Sequence, residues 1–149
     1  MYQRVLWATD GSGLADGALN VALDLLEPDG CLIAFHCDER FAAARVGGLP
    51  LVADEPDRRA AIRNRVDALR ADGIDAELVV ETTHHSAPGE IARAAEVYAA
   101  DVIVCGTRGF GLVAGVVAGS VAMRLPHVAS CPVVVVSERA AQQAALLPR

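Results

Sequence analysis

The stretch DVIVCGTRGFGLVAGVVAGS, residues 101–120, decides the fold. It opens as an apolar, strand-like run, Asp101 to Gly106, and ends at Ser120, where a short helical pattern runs on to Leu125. Between them, Gly106, Gly109, Gly111, Gly115 and Gly119 put five glycines into fifteen residues. Glycine permits unusual backbone angles and leaves N–H groups uncovered for an anion. A helix start adds free amides and a positive dipole end, and a serine hydroxyl there can donate one more bond. Two readings follow from the residues alone. The glycines allow tight turns and close packing with Ser120 as an N-cap, or they form a phosphate cradle in two parts. The spacing does not give the dinucleotide fingerprint G-x-G-x-x-G.

Strand-like and helix-like segments alternate along the rest of the chain as well. RVLWATD, residues 4–10, reads as a buried first strand ending in Asp10. Ala15, Ala18, Leu19, Ala22 and Leu26 then recur at helical spacing, with Pro28, Asp29 and Gly30 expected to end that helix. CLIAFHC (31–37) is the second strand, and residues 38–56 are expected as a long, irregular loop, a candidate lid or binding loop. Ile62, Val66 and Leu69 mark a second helix over 57–72, and AELVVE (76–81) a third strand. A helix starts near Pro88, where proline suits a first turn, and PVVVVS (132–137) is the fifth strand. Near-continuous apolar strands alternating with helices predict an open five-stranded parallel sheet with helices on both faces, Rossmann-like in class. The expected organisation is one domain over residues 1–138 and an alanine-rich, frayed or loosely helical tail over 139–149. In such sheets ligands sit beyond the carboxyl ends of the strands, where the order reverses. If the first and fourth strands are neighbours there, Asp10 and Gly106 share one crevice.

Composition narrows the classes. The 149 residues carry a formal net charge of -6, which argues against a general nucleic-acid binder. All 13 basic residues are arginines, so a Schiff-base lysine and the lysine-bearing P-loop are excluded. No membrane-length apolar run or signal-like leader stands out, and a cytoplasmic protein with reduced thiols is expected. Cys31 and Cys105 are expected to be buried; Cys37 and Cys131 lie at strand edges. The alanine- and arginine-rich composition fits a bacterial source.

With these residues in place, the chain resembles the universal stress protein family, in its nucleotide-binding branch. The family pattern is glycine, two residues, glycine, nine residues, glycine and then serine or threonine. Gly106, Gly109, Gly119 and Ser120 reproduce it. The resemblance extends to VLWATDGS at the start, to His36 near the end of the second strand, and to the CPVVVV strand, covering the chain up to Ser137. It implies ATP binding at the carboxyl ends of the first and fourth strands. Asp10 would face the ribose or adenosine side. Gly106 and Gly109 would let the backbone wrap ribose and phosphates, and Gly119 and Ser120 would hold phosphate oxygens. Arg108, in the turn, is a candidate phosphate contact. A backbone position in the loop after the second strand, at Val46 or Val52, would meet adenine. Mg²⁺ would be held mainly through phosphate and water. The final strand would pair across a homodimer, protecting an otherwise open edge.

One departure concerns the rim. TTHHSAPGE (82–90) carries His84 or its neighbour where the family often has glycine, and His84 and His85 read as a polar loop rather than metal ligands. His36 reads as a satisfied structural histidine, and the charges from Arg58 to Arg70 as a solvated helix face. The resulting expectation is an ATP-binding stress-response regulator with little or no turnover and no catalytic residues. The alternatives are a slow hydrolase or self-phosphorylating protein using Ser120 or Thr107, and a nucleotide-free homodimeric interaction module.

Overall fold

The computed structural model describes residues 1–39, 55–107 and 120–144. The first strand, β1 (Tyr2–Ala8), leads through a short turn into helix α1 (Gly13–Leu25). Strand β2 (Leu26–Glu39), helix α2 (Glu55–Ala71), strand β3 (Asp75–Thr83) and helix α3 (Ala87–Val97) follow. Strand β4 (Val102–Gly106), helix α4 (Ser120–Val128), strand β5 (Val133–Val136) and helix α5 (Glu138–Ala144) complete the order. All five strands are parallel, in the order β3-β2-β1-β4-β5. The chain therefore grows outward from β1 in one direction and then turns back, placing β4 beside β1 as the crevice geometry requires.

Strand periodicity of two sorts the apolar residues into two layers. Val5, Trp7, Leu32, Ala34, Val102 and Val104 pack beneath α1, α2 and α5. Leu6, Ile33, Phe35, Ile103 and Cys105 face the other way, against Ile91, Ala94 and Ala95 of α3 and Leu125 of α4. The near-continuous apolar runs thus have a simple cause, since both faces of the sheet are covered. Trp7 is fully buried and its indole N–H donates to the Ala15 carbonyl at 2.9 Å, fastening α1 to the sheet.

Several boundaries differ from the sequence expectation. The helix ends at Leu25, and Pro28, Asp29 and Gly30 fall within β2. The register runs from Tyr2↔Leu26 to Arg4↔Cys31, so these turn-forming residues are taken up in an irregularity of the ladder. Glu55 and Pro56 belong to the first turn of α2 instead of the preceding loop. Helix α4 passes Leu125 and contains Pro126; Ala129 N–H still donates to the Leu125 carbonyl at 3.0 Å, so the proline occupies the last turn without stopping it. Cys31 is half-buried rather than buried, at the first β2–β3 pair opposite Asp75. Cys105 is buried as expected.

Residues 138–144 form a helix that docks on α1. Ala141 is buried in the core, and a Cβ built on Gly17 would lie 2.3 Å from the Ala141 Cβ. Gly17 is thus the contact surface between the two helices. Replacing Gly17 by Val is expected to lower stability by about 1–3 kcal/mol through overpacking. Thermal unfolding checks this, with a reduced midpoint expected.

Candidate functional site

The site is built where β1 and β4 end side by side. Ala8 pairs with Cys105, so the β1–α1 turn and Gly106 leave the sheet from one edge. The ladder between β1 and β2 closes with Thr9 N–H donating to the Phe35 carbonyl at 3.0 Å. Beyond it the turn satisfies its own backbone. Gly11 N–H donates to Thr9 Oγ1 at 3.1 Å, and Ser12 N–H donates to Asp10 Oδ1 at 3.0 Å. Ser12 caps α1, its hydroxyl oxygen accepting from Ala15 N–H at 3.3 Å. The turn-forming Asx geometry of Asp10 is therefore observed, and it fixes the direction in which that carboxylate leaves β1.

Gly11 has φ +78°, a left-handed conformation that favours glycine. A Cβ there would also stand 3.2 Å from the Arg58 carbonyl oxygen, so α2 abuts the turn closely. Gly11→Ala should cost about 1–2 kcal/mol from backbone strain. Urea unfolding should show a lower midpoint at unchanged slope.

The carboxyl ends of β2 and β3 carry a second group of polar residues. His36 is only 2% exposed, with Nδ1 2.9 Å from the Thr9 carbonyl oxygen and Nε2 2.8 Å from Glu55 Oε1. Arg59 donates from Nε to the same Glu55 oxygen at 2.9 Å and from Nη2 to Asp38 Oδ2 at 2.7 Å. The bond to Glu55, aided by Asp38, raises the Arg59 pKa above its ordinary value. Arg59 Nη2 also lies 3.3 Å from Thr82 Oγ1, so one guanidinium joins α2 to the ends of β2 and β3.

The satisfied, structural reading of His36 holds. The reading of Arg58 to Arg70 as simply a solvated face does not hold at Arg59. Its i,i+4 relation to Glu55 is visible in the sequence, but the approach of Asp38 and Thr82 depends on strand order. Arg65 similarly bridges α2 to Asp16 of α1. His84 and His85 are exposed, and among the described residues no group of three or more His, Cys, Asp or Glu is placed to hold a metal ion.

Of the expected site residues, Asp10 and Gly106 stand on this common rim, and Ser120 heads α4. The side chain of Ser120 lies outside what is described. Arg108, Gly109 and Gly119 lie outside the described residues, as do Gly111, Gly115, Val46 and Val52. Thr107 continues the edge, its N–H donating to the Val136 carbonyl at 2.9 Å. A hollow of about 480 Å³ lies at the other end of the sheet, lined in part by Leu23, Leu26, Glu27 and Asp75. It sits at the amino ends of the strands, away from the strand reversal where ligands of open sheets bind.

Burial pushes the Cys105 thiol up to about 11, so the thiol preceding Gly106 is neutral across the physiological range. Iodoacetamide at pH 8 should leave Cys105 unmodified in the folded protein and modify it after denaturation. Mass spectrometry of the peptide reads the difference.

The fold and rim define an open, doubly wound α/β protein whose crevice lies where the strand order turns back. Residues 1–137 match the universal stress protein family, and the chain belongs to that family. Universal stress protein UspA from Lactobacillus plantarum has a similar fold, with TM-score 0.73 and 21% identity over 91% of this chain and 97% of that one. A universal stress protein in complex with cAMP superposes with TM-score 0.63 and 23% identity, covering 91% of this chain and 97% of its own. The universal stress protein from Archaeoglobus fulgidus in complex with dAMP gives TM-score 0.64 and 23% identity, with the same coverages of 91% and 97%. No curated protein matches the chain in sequence. Among the described residues no helix is long and apolar enough to cross a membrane.

Proposed function

We propose that this chain is an ATP-binding regulator of a stress response, acting in the cytoplasm and holding the nucleotide with little or no turnover. The observation that carries the reading is the adjacency of β1 and β4 at the strand reversal, which sets the Asp10 turn beside the start of the glycine stretch. The nucleotides in the two similar structures, cAMP and dAMP, support an adenine nucleotide as the ligand class. In this reading Asp10 meets the ribose or adenosine side. Gly106, Arg108 and Gly109 wrap the ribose and phosphates, and Gly119 and Ser120 hold phosphate oxygens at the head of α4. Mg²⁺ enters with the nucleotide, coordinated chiefly by phosphate and water. The binding unit is residues 1–138, and helix α5 beyond it stays docked on α1 through Ala141.

The same reading makes the protein a homodimer through β5. This is an edge strand in the sheet order, with Val135 37% exposed and Val133 and Val134 partly so. An apolar edge of this kind is normally paired or covered.

The reading is tested by native mass spectrometry of gently purified protein, with one adenine nucleotide per chain expected and steady-state turnover negligible. Multiple turnovers would favour the hydrolase alternative; no bound nucleotide and no ATP titration would favour the nucleotide-free module. Replacing Gly119 by Val is expected to weaken ATP binding at least tenfold, about 1.4 kcal/mol. Unchanged affinity would sink the phosphate-cradle assignment.

A further inference from the structure

We infer that His36 is a positioning residue for the nucleotide, setting the peptide plane that leads into Asp10; the inference rests on the adenine-nucleotide reading of this rim. The Thr9 carbonyl belongs to the planar peptide unit that contains the Asp10 nitrogen. Fixing that carbonyl fixes the orientation in which Asp10 leaves the sheet. The last ladder bond of β1 to β2 is made by the Thr9 N–H, so its carbonyl lies just beyond regular pairing. His36 occupies that place. A carbonyl oxygen can only accept, so the contact at 2.9 Å is Nδ1–H donating to Thr9.

The imidazole is itself held from behind. Nε2 meets Glu55 Oε1 at 2.8 Å, and the same oxygen accepts from Arg59 Nε at 2.9 Å. Arg59 is in turn bonded to Asp38 at 2.7 Å. Rotating the ring away from Thr9 would break the contact to Glu55, in a site where His36 is 2% exposed and water cannot replace either partner. On its other side the turn is braced by the close approach of Gly11 to Arg58. The Asp10 turn is therefore clamped between β2 and α2, and the donor to Thr9 is the member of the clamp that sets its orientation.

Two amide substitutions separate the two ends of the ring. The nitrogen of His36→Asn stands near the Nδ1 position and can still donate to Thr9. That of His36→Gln stands near Nε2 and can reach only Glu55. ATP affinity by calorimetry is expected to stay within about threefold of wild type for H36N and to weaken about tenfold for H36Q, the effect of one hydrogen bond. Thermal midpoints of both variants are measured beside it, since a merely structural role would move affinity and midpoint together. Equal affinities in the two variants, with wild type binding ATP, would overturn the positioning role alone. A wild-type protein that binds no ATP would overturn the nucleotide reading first. Should either variant fail to fold, imidazole ¹⁵N–¹H spectra of the wild-type protein decide. Saturating ATP is expected to shift the His36 Nδ1–H resonance, and an unchanged resonance overturns the proposal.

Discussion

Burial of β1 on both faces is the constraint from which the other elements take their places. Val5 and Trp7 require one helical layer and Leu6 requires another, and each of these side chains is fully buried. Parallel neighbours can be supplied only by crossover connections, so each added strand brings a helix with it. Helices α1 and α2 cover the face of Val5 and Trp7, while α3 and α4 cover the face of Leu6. The order β3-β2-β1-β4-β5 then puts a strand reversal at the centre. Open sheets of this kind receive ligands beyond the carboxyl ends of the strands at such a reversal.

The central position of β1 also creates a problem at its end. The chain must leave a sheet whose two flanking strands continue, and each peptide group beyond the ladder needs a partner. Thr9, Asp10 and Ser12 provide three of them locally, and His36 provides a fourth from β2. These bonds stiffen the turn at the place where a ligand would be received. Stability and site geometry therefore depend on the same few groups, and a substitution among them is felt in both.

The strands, their parallel arrangement and the two-sided cover were legible because the apolar runs and the helical spacing are local signals. The placement of Asp10 and Gly106 at the ends of neighbouring strands was legible for a related reason: each closes such a run. The absorption of Pro28, Asp29 and Gly30 into β2 was not. Their local chemistry favours a turn, and only the pairing of the flanking Leu26 and Cys31 with Tyr2 and Arg4 turns that preference into a ladder irregularity. Helix α5 was hidden similarly, since an alanine-rich segment reveals its docking only when Gly17 is known to face Ala141. Arg59 looked like surface charge because its partners Asp38 and Thr82 lie 21 and 23 residues away. A contact of that range is a property of strand order, which spacing does not encode.

The way the rim uses its polar groups bears on the chemistry open to it in the proposed nucleotide-binding role. A general base needs a lone pair directed at the proton it removes. His36, the buried imidazole of this rim, has Nδ1 engaged with Thr9 and Nε2 engaged with Glu55. Asp10 directs one carboxylate oxygen at the Ser12 amide, and Thr9 directs its hydroxyl oxygen at the Gly11 amide. Each of these bonds sets the shape of the turn before any ligand arrives. Such preorganisation lowers the ordering cost of association, whereas service as a base would require His36 to give up a bond that holds the turn. The bonds that fix the turn therefore oppose the use of His36 as a base toward the proposed nucleotide.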